Sequence, residues 1–368
     1  MKREDKIVKK PINQEKRNMS HQKKLFGIWA VVAFTAFFLI QITTAAEPSK
    51  KEARPAIPLG LDEESFHVPS DNPMTPEKIA LGRLLFFDKR LSGDNSIACA
   101  TCHMPALAFT DGQPVSAGIR RQLGGRSAPT AINRAFSQIQ FWDGRAATLE
   151  DQSIGPFTNP IEHGFADYDQ MLAKMKKIEG YRKEFKKVFG TDITMDGVAK
   201  AIASFQRTLI SGNSPADRYD IGGDENAISD SAKRGLVLFR NKARCTKCHS
   251  GFNFTDEKFH NLGFGWDTGN VDLGRYMVTN DKSEIGAFKT PTLREIANTA
   301  PYMHDGRFGT LEEVVAFYNK GGIKNPFLSE LILPLELTAQ EQKDLVAFLR
   351  TLNGEGWQHV KAPEEFPQ

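Results

Sequence analysis

The sequence predicts a mostly α-helical protein made of two halves that are related by internal duplication. The phrase FWDGRAATLEDQSIGP (residues 141–156) returns as MHDGRFGTLEEVVAFY (303–318), with Asp-Gly-Arg and Thr-Leu-Glu at matching positions. Near the end of each half, at 199–212 and 342–354, Phe and Leu recur at helical spacing, with an arginine on the other side of the helix. No sustained run alternates apolar and polar residues, so we expect few and short strands.

The first 46 residues differ from the rest of the chain. A basic, polar stretch (1–24) precedes a strongly apolar stretch of 18 residues (25–42), and small residues follow up to Ala46. This order is typical of a secretory signal peptide that is cleaved after Ala46. The alternative is an uncleaved membrane anchor, because about 18 apolar residues can just span a bilayer. Both interpretations predict that the remaining chain is exported.

The basic charge of the chain comes from this leader. The whole sequence has a formal net charge of +3, but residues 1–46 contain nine Lys/Arg and three Asp/Glu, which leaves −3 for the rest. The exported part therefore has no basic excess that would indicate binding of nucleic acid. Its length allows two domains, each with a core of its own.

The four cysteines form two Cys-x-x-Cys-His motifs. These are Cys99, Cys102 and His103 in CATCH, and Cys245, Cys248 and His249 in CTKCH. This is the attachment pattern of c-type haem. The two thiols bond to the haem vinyl groups, and the adjacent histidine becomes the proximal ligand of the iron. The sequence therefore predicts two covalently bound haem c groups.

Other uses of these cysteines account for less of the pattern. Disulfides are the default in an exported protein, a lone Cys-x-x-Cys suggests a thioredoxin-like pair, and two such pairs can hold a structural zinc. None of these explains a histidine in the same place after each pair. The pairs also lie 146 residues apart in the sequence.

We expect two cytochrome-c-like haem domains, at 47–215 and 216–368, with the active centres near their interface. The boundary is placed in 211–231, which is rich in Gly, Ser, Asp and Asn. Each half is predicted to run from a helix through a haem-binding loop and an irregular stretch to helices that close over the haem. For the last of these, Thr338 with Glu341 is a start signal and Gly354 a stop signal.

The two copies of the repeated phrase differ where chemistry is expected. Pro156 in the first copy aligns with Tyr318 in the second. Proline offers no donor atom, whereas a phenol oxygen can bind ferric iron. We therefore predict an open first haem and a second haem that Tyr318 closes.

Two further residues support an open first haem. Gln152 and Glu162 align with Val314 and Lys324, so neither has a counterpart in the second copy. A carboxylate near the iron can move a proton between the oxygens of peroxide, with an amide to orient the substrate. The alternative is that both are solvated surface residues. Trp142 aligns with His304 and is either packing or a redox relay between the haems.

These motifs resemble the bacterial di-haem cytochrome c peroxidase family and its MauG branch. The resemblance extends from IALGRLLFFDKRLSGDNSIACATCH to LVAFLRTLNG. It implies a periplasmic enzyme with peroxide chemistry at the N-terminal haem and electron transfer at the C-terminal haem. It also implies catalytic roles for Gln152 and Glu162 and an inter-haem role for Trp142.

The resemblance is closest to the tyrosine-ligated MauG branch, because the peroxidases have methionine where this chain has Tyr318. The nearby Met303 aligns internally with Phe141 and is interpreted as packing. Many of the peroxidases have a blocking histidine in the loop after the first haem motif, but 108–126 contains none. Where the family often has methionine after the catalytic glutamate, this chain has His163, which either perturbs proton transfer at the site or is a simple substitution at the pocket edge.

The resemblance also implies one calcium ion between the haems. In the family, two backbone carbonyls and an asparagine side chain bind it. The carbonyl positions match Thr299 and Pro301, but Ser127 stands at the asparagine position.

Three functions agree with these observations. The first is an exported peroxidase that reduces hydrogen peroxide with electrons from a small redox protein, either a cytochrome c or a cupredoxin. The second is a MauG-like oxidase that modifies side chains of a partner protein. The third is a plain electron-transfer cytochrome, which would need a sixth ligand at both haems, and Pro156 argues against that.

Overall fold

A computed structural model describes residues 53–368 of the protein. The predicted signal peptide or anchor (1–46) lies outside the described residues. Helices and irregular loops make up nearly all of the described part, so the predicted mostly helical fold is confirmed there. Within 53–368, no helix combines the length and the apolar character needed to cross a bilayer.

The described part contains α-helices of four to twelve residues. They are α1 (Pro76–Phe87), α2 (Cys99–Cys102), α3 (Leu149–Thr158), α4 (Tyr168–Met175), α5 (Glu179–Phe189), α6 (Met195–Gln206), α7 (Pro215–Asp220), α8 (Asp230–Arg240), α9 (Tyr276–Thr279), α10 (Leu311–Asn319) and α11 (Ala339–Leu349). Single turns of 3-10 helix are interspersed at Glu63–Ser65, Lys89–Leu91, Pro105–Leu107, Ile119–Arg121, Arg134–Phe136, Cys245–Lys247, Lys282–Glu284, Ile296–Asn298 and Arg350–Leu352.

The strands are short, as predicted. In residues 53–368 they are β1 (Phe259–Asn261) and β2 (Ala287–Lys289), which pair antiparallel. Phe259 lies opposite Lys289 in this ribbon. The ribbon is too small to form a core, so the fold depends on helix packing.

Helix pairs with close backbone contact build the two main hydrophobic clusters. Helix α1 packs on α6, and α8 packs on α11. A Cβ added to Gly82 of α1 would lie 1.9 Å from the carbonyl oxygen of Ala201, and one added to Gly235 of α8 would lie 2.0 Å from that of Asp344. Glycine is therefore required where each pair of helices crosses.

Helix α11 begins with the predicted capping box of Thr338 and Glu341 and ends at Leu349, and a turn of 3-10 helix continues to Leu352. The helical segment therefore stops just before Gly354, as predicted. Gly354 also makes a close backbone contact, since its Cβ would lie 2.3 Å from the Gly212 oxygen. One local prediction for the closing helices needs correction. Arg207 at the end of α6 does not lie on an exposed side of the helix.

The guanidinium of Arg207 is buried, and its Nη1 bonds Glu150 Oε1 at 2.8 Å. The matching Arg350 remains exposed and bonds Glu312 Oε1, also at 2.8 Å. The end of each closing helix is thus tied to the glutamate of a Thr-Leu-Glu phrase. Burial of one of the two arginines could not be inferred from helical spacing alone.

Contacts between distant parts of the sequence join the two halves. Arg294 Nη2 donates to the carbonyl oxygen of Gly60 at 2.6 Å, and it also pairs with Asp217 of α7, inside the expected linker. Near the other end of the chain, Arg83 donates to the Lys361 carbonyl. The described residues 53–368 form one compact unit, and the domain boundary stays a prediction.

Candidate haem-binding sites

The repeated phrase folds into the same local structure twice. Phe141 and Met303 both adopt the left-handed backbone region, with φ of 69° and 76°. In each copy an isolated antiparallel bridge, Gln140 with Ala146 or Tyr302 with Phe308, encloses this residue, and a threonine, Thr148 or Thr310, then caps a helix through its side chain. The sequence repeat therefore has a structural counterpart.

The capped helices bring Pro156 and Tyr318 to equivalent places. Each is the eighth residue of its helix, in α3 and α10 respectively. Pro156 lines one cavity and Tyr318 another.

The first cavity brings together all the residues predicted for the first haem. It has a volume of about 540 Å³. Its lining includes Cys99, Cys102, His103, Trp142, Gln152, Pro156 and Glu162. These residues span more than sixty positions of the sequence, so the fold has gathered them into one pocket.

The second cavity, of about 230 Å³, does the same for the second haem. Its lining includes Cys245, Cys248, His249, Thr299, Pro301, Met303 and Tyr318. Burial raises the pKa of the Tyr318 hydroxyl, and the nearby thiols of Cys248 and Cys245 raise it further. A cation bound in the cavity would favour the phenolate and oppose this shift.

The histidines of the two motifs are oriented as metal ligands. His103 Nδ1 lies 3.0 Å from the Phe109 carbonyl oxygen, and His249 Nδ1 lies 2.9 Å from that of Phe254. A carbonyl can only accept, so Nδ1 carries the proton and Nε2 remains available for a metal. Burial lowers the pKa of both rings, which favours the neutral form that metals bind.

The two cysteine pairs belong to different sites. Cys99 and Cys102 line the first cavity, whereas Cys245 and Cys248 line the second. This separation is inconsistent with a single zinc ion held by both pairs. The structure has all four thiols free of disulfides. The donor sets fit two haem groups, one per cavity, with a histidine for each iron.

Glu162 is held by a neighbouring amide on the wall of the first cavity. Asn159 Nδ2 donates to Glu162 Oε1 at 2.7 Å. Burial raises the pKa of Glu162, while attraction to Arg145 and the Asn159 hydrogen bond partly oppose the rise. A raised pKa suits a carboxyl group that must both accept and release a proton.

Gln152 is also fixed by a second amide. Gln206 Nε2 donates to Gln152 Oε1 at 3.2 Å and to Ser153 Oγ at 3.0 Å. Because the Gln152 oxygen accepts the hydrogen bond from Gln206, the orientation of the side-chain amide of Gln152 is fixed. Glu162 and Gln152 are both partly buried on the cavity wall, so neither is a freely solvated surface residue.

Trp142 lies in the wall between the two cavities and lines both. Its Nε1 donates to the Ser127 carbonyl oxygen at 3.0 Å. Ser127 in turn donates from Oγ to the Met303 carbonyl at 3.0 Å and from its backbone nitrogen to the His304 carbonyl at 2.7 Å. Trp142 is therefore fixed against the C-terminal copy of the phrase.

The expected calcium ligands lie in the same region. Ser127, Thr299 and Pro301 all line the second cavity. The Ser127 hydroxyl donates to the Met303 carbonyl oxygen. Calcium remains a prediction.

A second group of metal-ligand atoms occurs near the second haem motif. Single ligand atoms of Cys248, Asp256 and His260 lie within 4.8 Å of one another. His260 Nε2 lies 3.1 Å from Asp256 Oδ2, and its Nδ1 lies 3.2 Å from Ser329 Oγ. Both ring nitrogens of His260 are thus engaged, and Cys248 belongs to the haem motif.

His163 is a buried residue of the wall of the first cavity. Its Nδ1 lies 2.7 Å from the Leu91 carbonyl oxygen. Its ring packs edge-to-face on Phe157 with centroids 4.8 Å apart. Burial lowers the pKa of this imidazole, so it packs as a neutral ring.

Sequence reasoning missed the cations of the shared wall. Arg134 and Lys289 line both cavities. They lie 155 positions apart in the sequence, so no local signal could have paired them. Asn159 was visible only as part of NPIEHG, beside the predicted Glu162.

A helical chain with two cavities, each containing a Cys-x-x-Cys-His motif, has the features of a di-haem protein. Residues 76–226 match the family model described as di-haem cytochrome c peroxidase. The methylamine utilization protein MauG of Methylorubrum extorquens is 45% identical over 79% of this chain and 82% of its own. The cytochrome-c peroxidase IdrP1 of a Pseudomonas species is 37% identical over 91% of this chain and 94% of its own.

A solved structure agrees with these relatives. The crystal structure of a MauG-like protein associated with microbial copper homeostasis superposes with a TM-score of 0.73 and 34% identity, covering 85% of this chain and 96% of that one. The chain belongs to the di-haem cytochrome c peroxidase family. It is a haem oxidoreductase, as the resemblance of its motifs implied, and the family implies two haem groups.

Proposed function

We propose that this chain is an exported di-haem c-type peroxidase, which reduces hydrogen peroxide at the N-terminal haem with electrons passed through the C-terminal haem. The observation that carries the proposal is the contrast between Pro156 and Tyr318. They occupy the same helix position, and each lines one of the two cavities. Only the second has an atom that can bind iron.

Each half would hold one haem through its own motif. Cys99 and Cys102, or Cys245 and Cys248, would form the thioethers, and His103 or His249 would ligate the iron. The assignment of one haem domain to 47–215 and one to 216–368, by duplication, is supported by the paired glycine contacts of α1 with α6 and of α8 with α11.

Reduction of hydrogen peroxide to two waters takes up two electrons and two protons. A bound haem supplies an iron that binds peroxide and passes electrons to it. Glu162 would take the proton from one peroxide oxygen and deliver it to the other, so that the leaving oxygen departs as water. Gln152 would hold the substrate by its amide, and Asn159 would keep the Glu162 carboxyl group on the cavity wall.

Trp142 would carry electrons between the two centres. It lines both cavities, and its indole is fixed by Ser127. The electron donor would be a small redox protein, a cytochrome c or a cupredoxin, in the periplasm. A calcium ion bound by the Thr299 and Pro301 carbonyls remains a secondary part of the proposal.

The second candidate is a MauG-like oxidase that withdraws electrons from side chains of a partner protein. Tyr318 favours it, because an anionic oxygen ligand stabilises the oxidised state of iron. The 45% identity to a MauG protein points in the same direction. A plain electron-transfer cytochrome is disfavoured, since Pro156 provides no sixth ligand.

Spectra of the purified ferric protein, before and after adding hydrogen peroxide, test the proposal. We expect one high-spin and one low-spin haem, and a rapid spectral change with one equivalent of peroxide. The proposal would be overturned if both haems were low-spin and their spectra did not change when peroxide was added. Catalytic oxidation of reduced cytochrome c or cupredoxin by peroxide separates the peroxidase from the oxidase, for which these donors would be poor substrates.

A further inference from the structure

The wall between the two cavities contains two cations with little negative charge to balance them, of which Lys289 is buried and Arg134 is partly buried. Arg134 and Lys289 each line both cavities. Lys289 is 5% exposed, and its ammonium lies 3.4 Å from Glu257 Oε2. Arg134 Nη2 is buried without a hydrogen-bond partner in the protein. A buried guanidinium nitrogen without an acceptor is costly, so a ligand that provides one is expected.

The charges that line the second cavity are all positive. Its lining includes Arg134, Arg244, Lys247 and Lys289, and no carboxylate among residues 53–368 contributes to it. The first cavity is lined by three carboxylates, of which Asp143 and Asp272 pair with Arg126 and Glu162 accepts a hydrogen bond from Asn159. The wall therefore offers positive charge to an anionic ligand on either side.

The lowered pKa of Lys289 agrees with the shortage of negative charge in the wall. Burial and repulsion from Arg134 lower the pKa of Lys289 to about 8, and attraction to Glu257 and Asp256 only partly opposes this. Glu257 is itself committed elsewhere, since its Oε1 accepts from Ser137 Oγ at 2.8 Å. Lys289 and Arg134 still repel each other, and further anions would relieve that repulsion.

We propose that Arg134 and Lys289 form a binding site shared by the propionate carboxylates of both haems, and that the positive charge of this site raises the reduction potentials of both haems together. The inference rests on the proposed function, in that it requires one haem in each cavity. A positive charge between two redox centres stabilises the reduced form of both. Changing this one site should therefore alter both haems together.

The test is a redox titration of the holoprotein, with the absorbance of each haem followed separately. In Lys289→Met we expect both potentials to fall, so that at a fixed potential the ferrous-to-ferric ratio of each haem drops on the order of tenfold. Lys289→Arg keeps the charge and should stay close to the parent. Glu257→Gln removes the opposing charge and should raise both potentials.

Haem content and peroxide reactivity of the parent protein separate this inference from the proposed function. A parent with fewer than two haems, or one inert to peroxide, would contradict the proposed function. Unchanged potentials in Lys289→Met and Glu257→Gln, both with two haems, would overturn the inference alone. Shifts in the same direction in both variants, or at one haem only, would also overturn it. If Lys289→Met loses haem, the Glu257→Gln variant tests the inference alone: a rise of both reduction potentials supports it, and unchanged or lower potentials overturn it.

Discussion

Asn159 Nδ2 holds Glu162 Oε1 at 2.7 Å on the wall of the first cavity. Asn159 also uses its own side-chain oxygen to accept from the backbone nitrogen of Ile161 at 2.9 Å, which fixes the turn after α3. The amide is therefore oriented from both ends. A carboxyl group with such support can return to one position after each proton transfer.

Replacing Glu162 with glutamine should reduce peroxide turnover while both haems stay attached. The substitution retains the shape and removes the proton-carrying group, and general acid–base help is typically worth ~10²–10⁴-fold. Steady-state oxidation of a reduced donor measures the effect, and haem absorbance checks attachment. Glu179→Gln, at an exposed position of α5, is the matched control. Turnover of Glu162→Gln within twofold of the parent would remove Glu162 from the mechanism.

The pH dependence of turnover should report the same carboxyl group. Burial raises the pKa of Glu162 above its usual value of 4.5. The proposed step begins with an ionised carboxylate, so turnover should decline as the pH falls through this raised pKa. The decline should begin at a higher pH than an ordinary glutamate would give. The acidic limb should be absent from the residual activity of Glu162→Gln, and a limb that persists unchanged belongs to another group.

Trp142→Phe should slow electron transfer between the haems without preventing the reaction of peroxide. Phenylalanine fills much of the same space but is far harder to oxidise, and it cannot donate to the Ser127 carbonyl. Stopped-flow spectra that resolve the two haems would measure both steps. As a control, Trp357→Phe changes a tryptophan packed on Phe109, and it should leave inter-haem transfer unchanged. Equal rates in Trp142→Phe and the parent would make Trp142 a packing residue.

The helix crossings make a matched pair of stability predictions. In Gly82→Ala and Gly235→Ala the new Cβ meets a backbone carbonyl oxygen at 1.9 and 2.0 Å, unless the helices separate. Overpacking of this kind costs about 1–3 kcal/mol or more. Thermal unfolding should show a lower Tm for both variants. Gly309→Ala, whose added Cβ has only Glu313 Oε2 within 4 Å, at 3.7 Å, serves as the control. A parent-like Tm for either crossing variant would show that its helices can separate cheaply.

The sequence was most informative where a motif defines its own chemistry. The Cys-x-x-Cys-His motifs and the two copies of the repeated phrase predicted residues that line the two cavities, because these residues lie at fixed short spacings in the sequence. The burial of Arg207 was not accessible in this way, since it depends on Glu150 in another helix. The pairing of Arg134 with Lys289 is likewise a consequence of tertiary packing between positions remote in the chain. The hydrogen bond from Arg294 to the Gly60 carbonyl oxygen also depends on tertiary packing, because the two residues are far apart in the sequence.

Tyr318→Met is the sharpest test of the two-haem assignment. A phenolate is a hard anionic donor that stabilises ferric iron, whereas a neutral thioether raises the potential of a haem. We therefore expect the second haem to become easier to reduce, with a changed ferric spectrum. The reaction of the first haem with peroxide should survive, because its open side depends on Pro156, which lines the other cavity.

The control for Tyr318→Met is Met303→Leu, because Met303 lines the same cavity. If Tyr318 is the ligand, Met303→Leu should leave the potential and the ferric spectrum of the second haem close to those of the parent. The opposite result, with Tyr318→Met silent and Met303→Leu altered, would make Met303 the sixth ligand. A thioether ligand would then place the chain with the electron-accepting peroxidases, and the main argument for MauG-like chemistry would be lost. Redox titration of both variants beside the parent distinguishes these outcomes, since only the true ligand changes the potential.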